Sequence, residues 1–338
     1  MPREQRVRTA EIESQAHYSC FHQIVISTPG PVGLIGLLAG KLLNVRTAGV
    51  YHTDFTLQAR TITGDDSLPG MLEAYTRWFY QSLDEIHVPT RQYMRILEGR
   101  GFDHTKLRLF QRSIDARLFN PRPGAREAVN ERLDIQSGIN LIYAGPIAKE
   151  RNIDFLLDTY RLLIKWRSAV NLIVVGDGPH LKAVRDAARI LPRIVCVGRV
   201  PHKELPLYYS AADLCVCPCT TDTFGQAIFE AQACGLPAIV ADQGGASELV
   251  DHGATGFVAP VDDPATWAQA IKDFIVMTEH APSRYAAMRR LARQRVLQRA
   301  DWRATLREII GKEATPPTAT AVTAPSGQAA AKPLPVAV

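Results

Sequence analysis

Two doubly wound α/β domains are the fold class this sequence predicts, and three observations carry that expectation. The chain has 338 residues, more than one ordinary hydrophobic core supports. Short, nearly continuous apolar runs recur at HQIVIST, VRTAGVYHT, DEIHVPT and KLRLFQ, and again at NLIYAG, NLIVVGDG, RIVCVG, ADLCVCP and LPAIVAD. Amphipathic stretches such as DFLLDTYRLLIKW separate them. Apolar strands alternating with helices must be covered on both faces, which is the signature of parallel, Rossmann-like sheets.

Taken in order, the chain opens with MPREQRVRTAEIESQ, which is basic but lacks an apolar segment, so no secretory signal is read there. The longest apolar run, PVGLIGLLAGKLL, falls short of the roughly 20 residues that cross a bilayer and is interrupted by Gly and Lys. A cytoplasmic protein is expected, with a peripheral position on the inner membrane face as the alternative. The first strand block occupies 1–122 and ends at the turn-rich joint FNPRPGAREA; the second fills 123–280. A helical segment over 281–312 contains RYAAMRRLARQRVLQRADWR, whose arginines read as a solvated face more readily than as a membrane contact. Residues 313–338 are rich in Pro, Ala and Thr, lack aromatics and read as a disordered tail.

Six cysteines suit a reducing compartment better than a disulfide framework. Cys215, Cys217 and Cys219 alternate along a strand and so share one face; without a CxxC pair or a histidine cluster they read as packed thiols rather than metal ligands. The net charge of +5 favours anionic ligands without requiring nucleic acid. His22 and His87 lie beside or within strands and read as structural residues.

In doubly wound sheets the ligand sits beyond the carboxyl ends of the strands. Three strands of the second block end there in glycine-bearing loops, YAGP, VVGDGP and VCVGR. The densest chemistry lies in PCTTDTFGQAIFEAQACGLP at 218–237. Its strand ends in a loop carrying Asp222, and a helix opening near Gly225 carries Glu230 about a turn and a half inside. The free N–H groups around Phe224, Gly225 and Gln226 form an anion site, strengthened by the helix dipole. A diphosphate seated there would present hydroxyls on either side to Asp222 and Glu230, and carboxylates accept such bonds well. A nucleotide sugar has that shape, with ribose hydroxyls at one end and hexose hydroxyls at the other. The plainer reading makes Asp222 a helix cap and Glu230 a solvent-facing helical residue.

The same segment resembles the acidic pair motif of retaining glycosyltransferases of the GT-B fold, family four (group 1), with Asp222 in place of the first glutamate. Other stretches follow in that family's order: PGPVGLIGLLAGKLLNVRTAGVYHTDF, IHVPTRQYMRILEGRGFDHTKLRLFQRSIDARLFNP, YAGPIAKERNID, VGRVPHKELPLYYSAADLCVCP and QGGASELVDHGATGFV. The resemblance covers about residues 15 to 310. It implies that Glu230 holds the donor ribose and Asp222 the transferred hexose. Phe224 and Gly225 would offer amides to sugar and diphosphate, Gly145 would open the facing loop, and His52 would line the acceptor side of the reacting carbon. Neither metal nor other cofactor is implied, because cations and helix N-termini neutralise the leaving diphosphate. The implied activity is transfer of a hexose from a nucleotide diphosphate sugar to a hydroxyl of a lipid or polysaccharide. The alternative is a partial or catalytically impaired nucleotide-sugar-binding protein that needs a partner chain.

Three departures stand out against that resemblance. Pro146 occupies the place of the family's usual arginine, and Arg151 that of its lysine, leaving Lys149 as a further candidate for the phosphates. Ser113 replaces a glycine in the joint, where a strained turn is expected. The resemblance implies roughly 70 to 100 residues of strands and helices before HQIVIST that have no counterpart here, a figure based on the family. An incomplete acceptor-side domain is therefore expected, with bare strand edges and apolar faces that another chain would cover.

Overall fold

A computed structural model describes residues 22–64, 67–299 and 301–310. The leader stretch before His22 and the tail assigned to 313–338 lie outside the described residues. The described chain builds two parallel sheets. The first contains β1 (Gln23–Ile26), β2 (Arg46–Val50), β3 (Glu85–Val88) and β4 (Leu107–Leu109), paired in that order. Between them run α1 (Pro31–Leu43), α2 (Phe55–Thr63), α3 (Ser67–Gln81) and α4 (Arg91–Gly99). Pro31 starts α1, where its fixed φ costs nothing, and Asn44 ends it in the left-handed region.

The second sheet contains β5 (Ile139–Ala144), β6 (Val170–Val175), β7 (Ile194–Gly198), β8 (Leu214–Cys217), β9 (Ala238–Ala241) and β10 (Gly256–Ala259), in the spatial order β10-β9-β8-β5-β6-β7. Winding runs one way from β5 to β7 and the other way from β8 to β10. The reversal leaves a crevice between the carboxyl ends of β5 and β8, where such sheets bind ligands. Its strands are legible because they are almost wholly apolar: every residue of VNLIVV in β6 is buried, Asn171 included, as is every residue of LCVC in β8.

Helices cover both faces of this sheet. They include α5 (Ala125–Arg132), α6 (Ile153–Trp166), α7 (Leu181–Ala188), α8 (Leu205–Ala211), α9 (Gln226–Ala233) and α10 (Pro264–His280). In α6 the buried residues Ile153, Leu156, Leu157, Tyr160 and Leu163 recur at helical spacing and face one core. Asn152, in the left-handed region, turns the chain from a short 3-10 turn at Lys149–Arg151 into that helix.

The arginine-rich segment forms α11 (Pro282–Leu297) and does more than face solvent. Met288, Ala292 and Val296 are buried. Arg293 donates to the carbonyls of Phe119 and Ala233, and Arg295 pairs with Asp251 and donates to the Glu248 carbonyl. The chain then crosses back through α12 (Trp302–Ile310), where Thr305 donates to the Gln111 carbonyl at 2.6 Å.

Ser113 differs from expectation: its φ is negative, so no left-handed strain arises, although its buried hydroxyl has no hydrogen-bond partner. Among the described residues the first sheet has an open edge and a partly bare helix. β1 is an edge strand, and α1 leaves Val32, Ile35, Leu38, Leu42 and Leu43 more than half exposed. The three alternating cysteines are buried in one hydrophobic cluster. Burial pushes the Cys215 thiol up to about 12 and also raises Cys217 and Cys219.

Candidate active site

The β8 strand delivers the chain into the loop 218–225, and α9 begins at Gln226, so its first N–H groups open onto the crevice. Gly225, just before the helix, has φ +96°, and a Cβ there would lie 2.8 Å from the Cβ of Ala246. Only glycine suits both the conformation and the space. Phe224 is buried with its ring edge against Phe229, so the amides at the helix tip rest on a packed support.

The two predicted carboxylates sit in different surroundings. Glu230 is buried, and its carboxylate accepts from Tyr209 at 3.2 Å, from His202 Nε2 at 3.1 Å and from the Gln226 amide at 3.4 Å. The His202 ring is exposed, so this acid lies just beneath the surface, held in one orientation by three partners of which Tyr209 is buried. Asp222 forms an ion pair with Arg151, whose guanidinium also lies 3.4 Å from Cys219 Sγ. The expectation placed Arg151 on the phosphates; here its contact is the acid expected to hold the sugar. Lys149 is exposed.

Gly145 and Pro146 line a cavity of about 260 Å³ with Val175, Gly176, Asp177, Arg199, Val200 and Leu205. It lies at the ends of β5, β6 and β7, where the glycine-bearing loops were read. Pro146 contributes its carbonyl to the Tyr143 hydroxyl, 2.7 Å away, and no charge.

His52 follows β2 and reaches the site from the first domain. Its carbonyl accepts from the Thr223 hydroxyl at 2.6 Å, and its Nδ1 meets Arg112 Nη2 at 2.5 Å. Arginine can only donate, so Nδ1 is the acceptor and the neutral ring carries its proton on Nε2. Burial, and then the Arg112 charge, lower the pKa of His52. The unfolded chain therefore takes up this proton first as pH falls, and stability is lost below about 6.5 and intact above it. The melting temperature of the wild type is expected to drop more steeply on acidification than that of His52→Gln; parallel curves would contradict this.

A seam joins the domains beside the same loop. Thr90 donates to the Thr223 carbonyl at 3.0 Å, and Tyr93 to the Thr221 carbonyl at 3.4 Å. The Glu248 carboxylate accepts the first N–H groups of α4, from Arg91 and Gln92, a placement favoured by the helix dipole. Ser247 donates to Gln92 Oε1 at 2.6 Å. Sequence reading brought Asp222, Phe224, Gly225, Glu230 and Gly145 to one sheet edge, with His52 opposite. It missed Arg112, His202 and Tyr209, whose only signals were a charge in the joint, a basic turn and an apolar helix.

Comparison with known proteins agrees with this geometry. Residues 138–276 match the family model described as glycosyl transferases group 1. A GDP-mannose-dependent alpha-mannosyltransferase of Mycobacterium tuberculosis is 29% identical over 290 residues, which cover 85% of this chain and 71% of the relative. The alpha-monoglucosyldiacylglycerol synthase of Streptococcus pneumoniae is 27% identical over 240 residues, 69% of this chain and 54% of the relative, so the chain spans about half of that protein. The solved structure of Anabaena HepE with UDP-glucose superposes with a TM-score of 0.70 at 18% identity, covering 89% of this chain and 80% of that one. Sucrose-phosphate synthase from Thermosynechococcus elongatus gives 0.72 at 21% identity, over 90% and 77%.

Fold and structural likeness thus define a class of fold, GT-B, with two Rossmann-like halves: a four-stranded sheet and a larger six-stranded one. The match to the group 1 glycosyltransferases lies over the second sheet and its helices, and the similarity to the mannosyltransferase extends over 85% of the chain.

Proposed function

We propose that this protein transfers a hexose, with retention of configuration, from a nucleoside diphosphate sugar to a hydroxyl of a lipid or polysaccharide. One observation carries the reading: the tip of α9 opens between Asp222 and Glu230 at the strand reversal, with His52 facing it from the other domain. The diphosphate would sit on the N–H groups at Gly225 and Gln226, with the ribose toward Glu230 and the hexose toward Asp222. As the bond between the anomeric carbon and the diphosphate oxygen breaks, its electron pair stays on that oxygen. The acceptor oxygen bonds to the same face of the carbon, and its proton passes to the departing diphosphate. Preorganised N–H groups that stabilise such a charge each contribute on the order of 100- to 1,000-fold in rate.

Pro146 favours a second reading, a donor-binding protein with impaired turnover, because that position supplies no cation and Arg151 of the same loop is paired with Asp222. One experiment separates the two. Calorimetric titration with GDP-mannose and UDP-glucose, paired with an assay of sugar release, is expected to show micromolar binding of one donor and its slow hydrolysis. Binding without release would leave the second reading, and no binding would remove both.

The relatives' names point to GDP-mannose as the first donor to try and to lipids as acceptors. The exposed apolar face of α1, beside Lys41 and Arg46, is proposed as the contact with an acceptor-bearing lipid surface. The protein should co-sediment with anionic vesicles, and Leu38→Glu with Leu42→Glu should abolish this; unchanged sedimentation would refute the assignment. No described helix is long and apolar enough to cross a membrane.

A further inference from the structure

We infer that Arg112 is a phosphate-binding residue, supplied from the acceptor-side domain, that takes over the clamp lost at Pro146. The inference rests on the donor site proposed above and assigns that site an additional residue. Arg112 follows β4, in the joint between domains, and reaches back across the crevice. Its guanidinium carbon lies 5.4 Å from the centroid of the Phe224 ring, the residue just before Gly225 and the tip of α9. Its polar contact among the described residues is one nitrogen, His52 Nδ1. Asp222 is the anion that acts on it electrostatically, but Asp222 is already paired with Arg151.

A largely desolvated cation without a carboxylate of its own is costly, and proteins tolerate one where an anion arrives. Burial lowers the pKa of this guanidinium, the opposite of what a resident ion pair does. Arginine has five N–H donors, of which His52 engages one nitrogen. The remaining fork suits a phosphate, which takes two parallel bonds from it. On the donor-domain side, Pro146 has no charge, Arg151 is committed to Asp222, and Lys149 and the cavity-lining Arg199 are exposed. The diphosphate thus meets helix amides from one domain and the unmatched cation from the other.

A purely structural Arg112, resting on Phe224 and orienting His52, would affect all nucleotides alike. A phosphate clamp acts on the diphosphate. Titration of GDP and GMP, with UDP and UMP alongside, into the wild type, Arg112→Gln and Arg112→Lys separates these roles. For the nucleotide base that the wild type binds, Arg112→Gln is expected to weaken the diphosphate about 10- to 100-fold, and the monophosphate by less than about threefold. Arg112→Lys should fall between, because it keeps the charge and loses the fork. Adding Pro146→Arg to Arg112→Gln should restore most of the diphosphate affinity. Equal weakening of both nucleotides, or an unchanged diphosphate affinity, overturns the inference. Should Arg112→Gln melt well below the wild type, the lysine variant decides: an unchanged ratio of diphosphate to monophosphate affinity overturns it. A wild type that binds no nucleotide overturns instead the donor site on which the inference stands.

Discussion

Glu230→Ala is expected to lower affinity for the nucleotide sugar by about 1.5 to 3 kcal/mol, the range for hydrogen bonds to a charged group. The carboxylate is buried, and Tyr209, His202 and Gln226 already fix its direction, so ribose hydroxyls would meet an acceptor that needs no reordering. Truncation also leaves the Tyr209 hydroxyl, itself buried, without its acceptor, and a fall in stability of about 1 to 3 kcal/mol should accompany the loss of binding. Glu230→Gln keeps the shape and one acceptor oxygen and should recover most of the stability but little of the affinity. Calorimetric titration and thermal melting of both variants separate the two effects. Donor affinity unchanged in Glu230→Ala would take this residue out of the ribose role.

Gly245→Ala should be the more damaging change to the framework. A Cβ at this position would lie 1.9 Å from the Thr223 carbonyl oxygen and 2.8 Å from the Phe224 nitrogen, both backbone atoms that cannot rotate away. The Gly245 N–H also donates to the Asp222 carbonyl at 2.6 Å, so one added carbon pushes directly on the loop that carries the acid and the helix tip. Overpacking of this kind costs about 1 to 3 kcal/mol or more. Donor binding should fall with it, because Thr223 is bonded to both Thr90 and His52 across the domain seam. Gly70→Ala is the control, since nothing lies within 4 Å of its added Cβ, and alanine is the better helix former. Melting of Gly245→Ala within about 1 °C of the wild type would refute the packing argument.

What could be read from the sequence was local. The strands of the donor domain announced themselves as short apolar runs, and the anion site as Phe224-Gly225 ahead of a helical stretch, because both depend on neighbours a few residues away. Pairings between distant residues left no such trace. Arg151 meets Asp222 across 71 positions, Arg112 meets His52 across 60, and Thr223 meets His52 across 171. A cation in the sequence gives no sign of which group it will face, so neither the Arg151 contact with Asp222 nor the Arg112 contact with His52 is legible there. His202 looked like part of an exposed basic turn, and only folding sets its ring on Glu230 and edge-on to Phe119, with ring centroids 4.9 Å apart. Ser113 shows the reverse error: a residue type implied strain, and the backbone takes an ordinary φ there.

The double attachment of Thr223 ties ligand traffic to large-scale motion. Its carbonyl and its hydroxyl are both engaged by the opposite half of the molecule, and its chain neighbours are Asp222 and Phe224. Under the proposed function, a rearrangement of this loop to admit a donor or release spent nucleotide would have to break those two bonds. Separation of the two halves and exchange at that site would then be coupled through one residue.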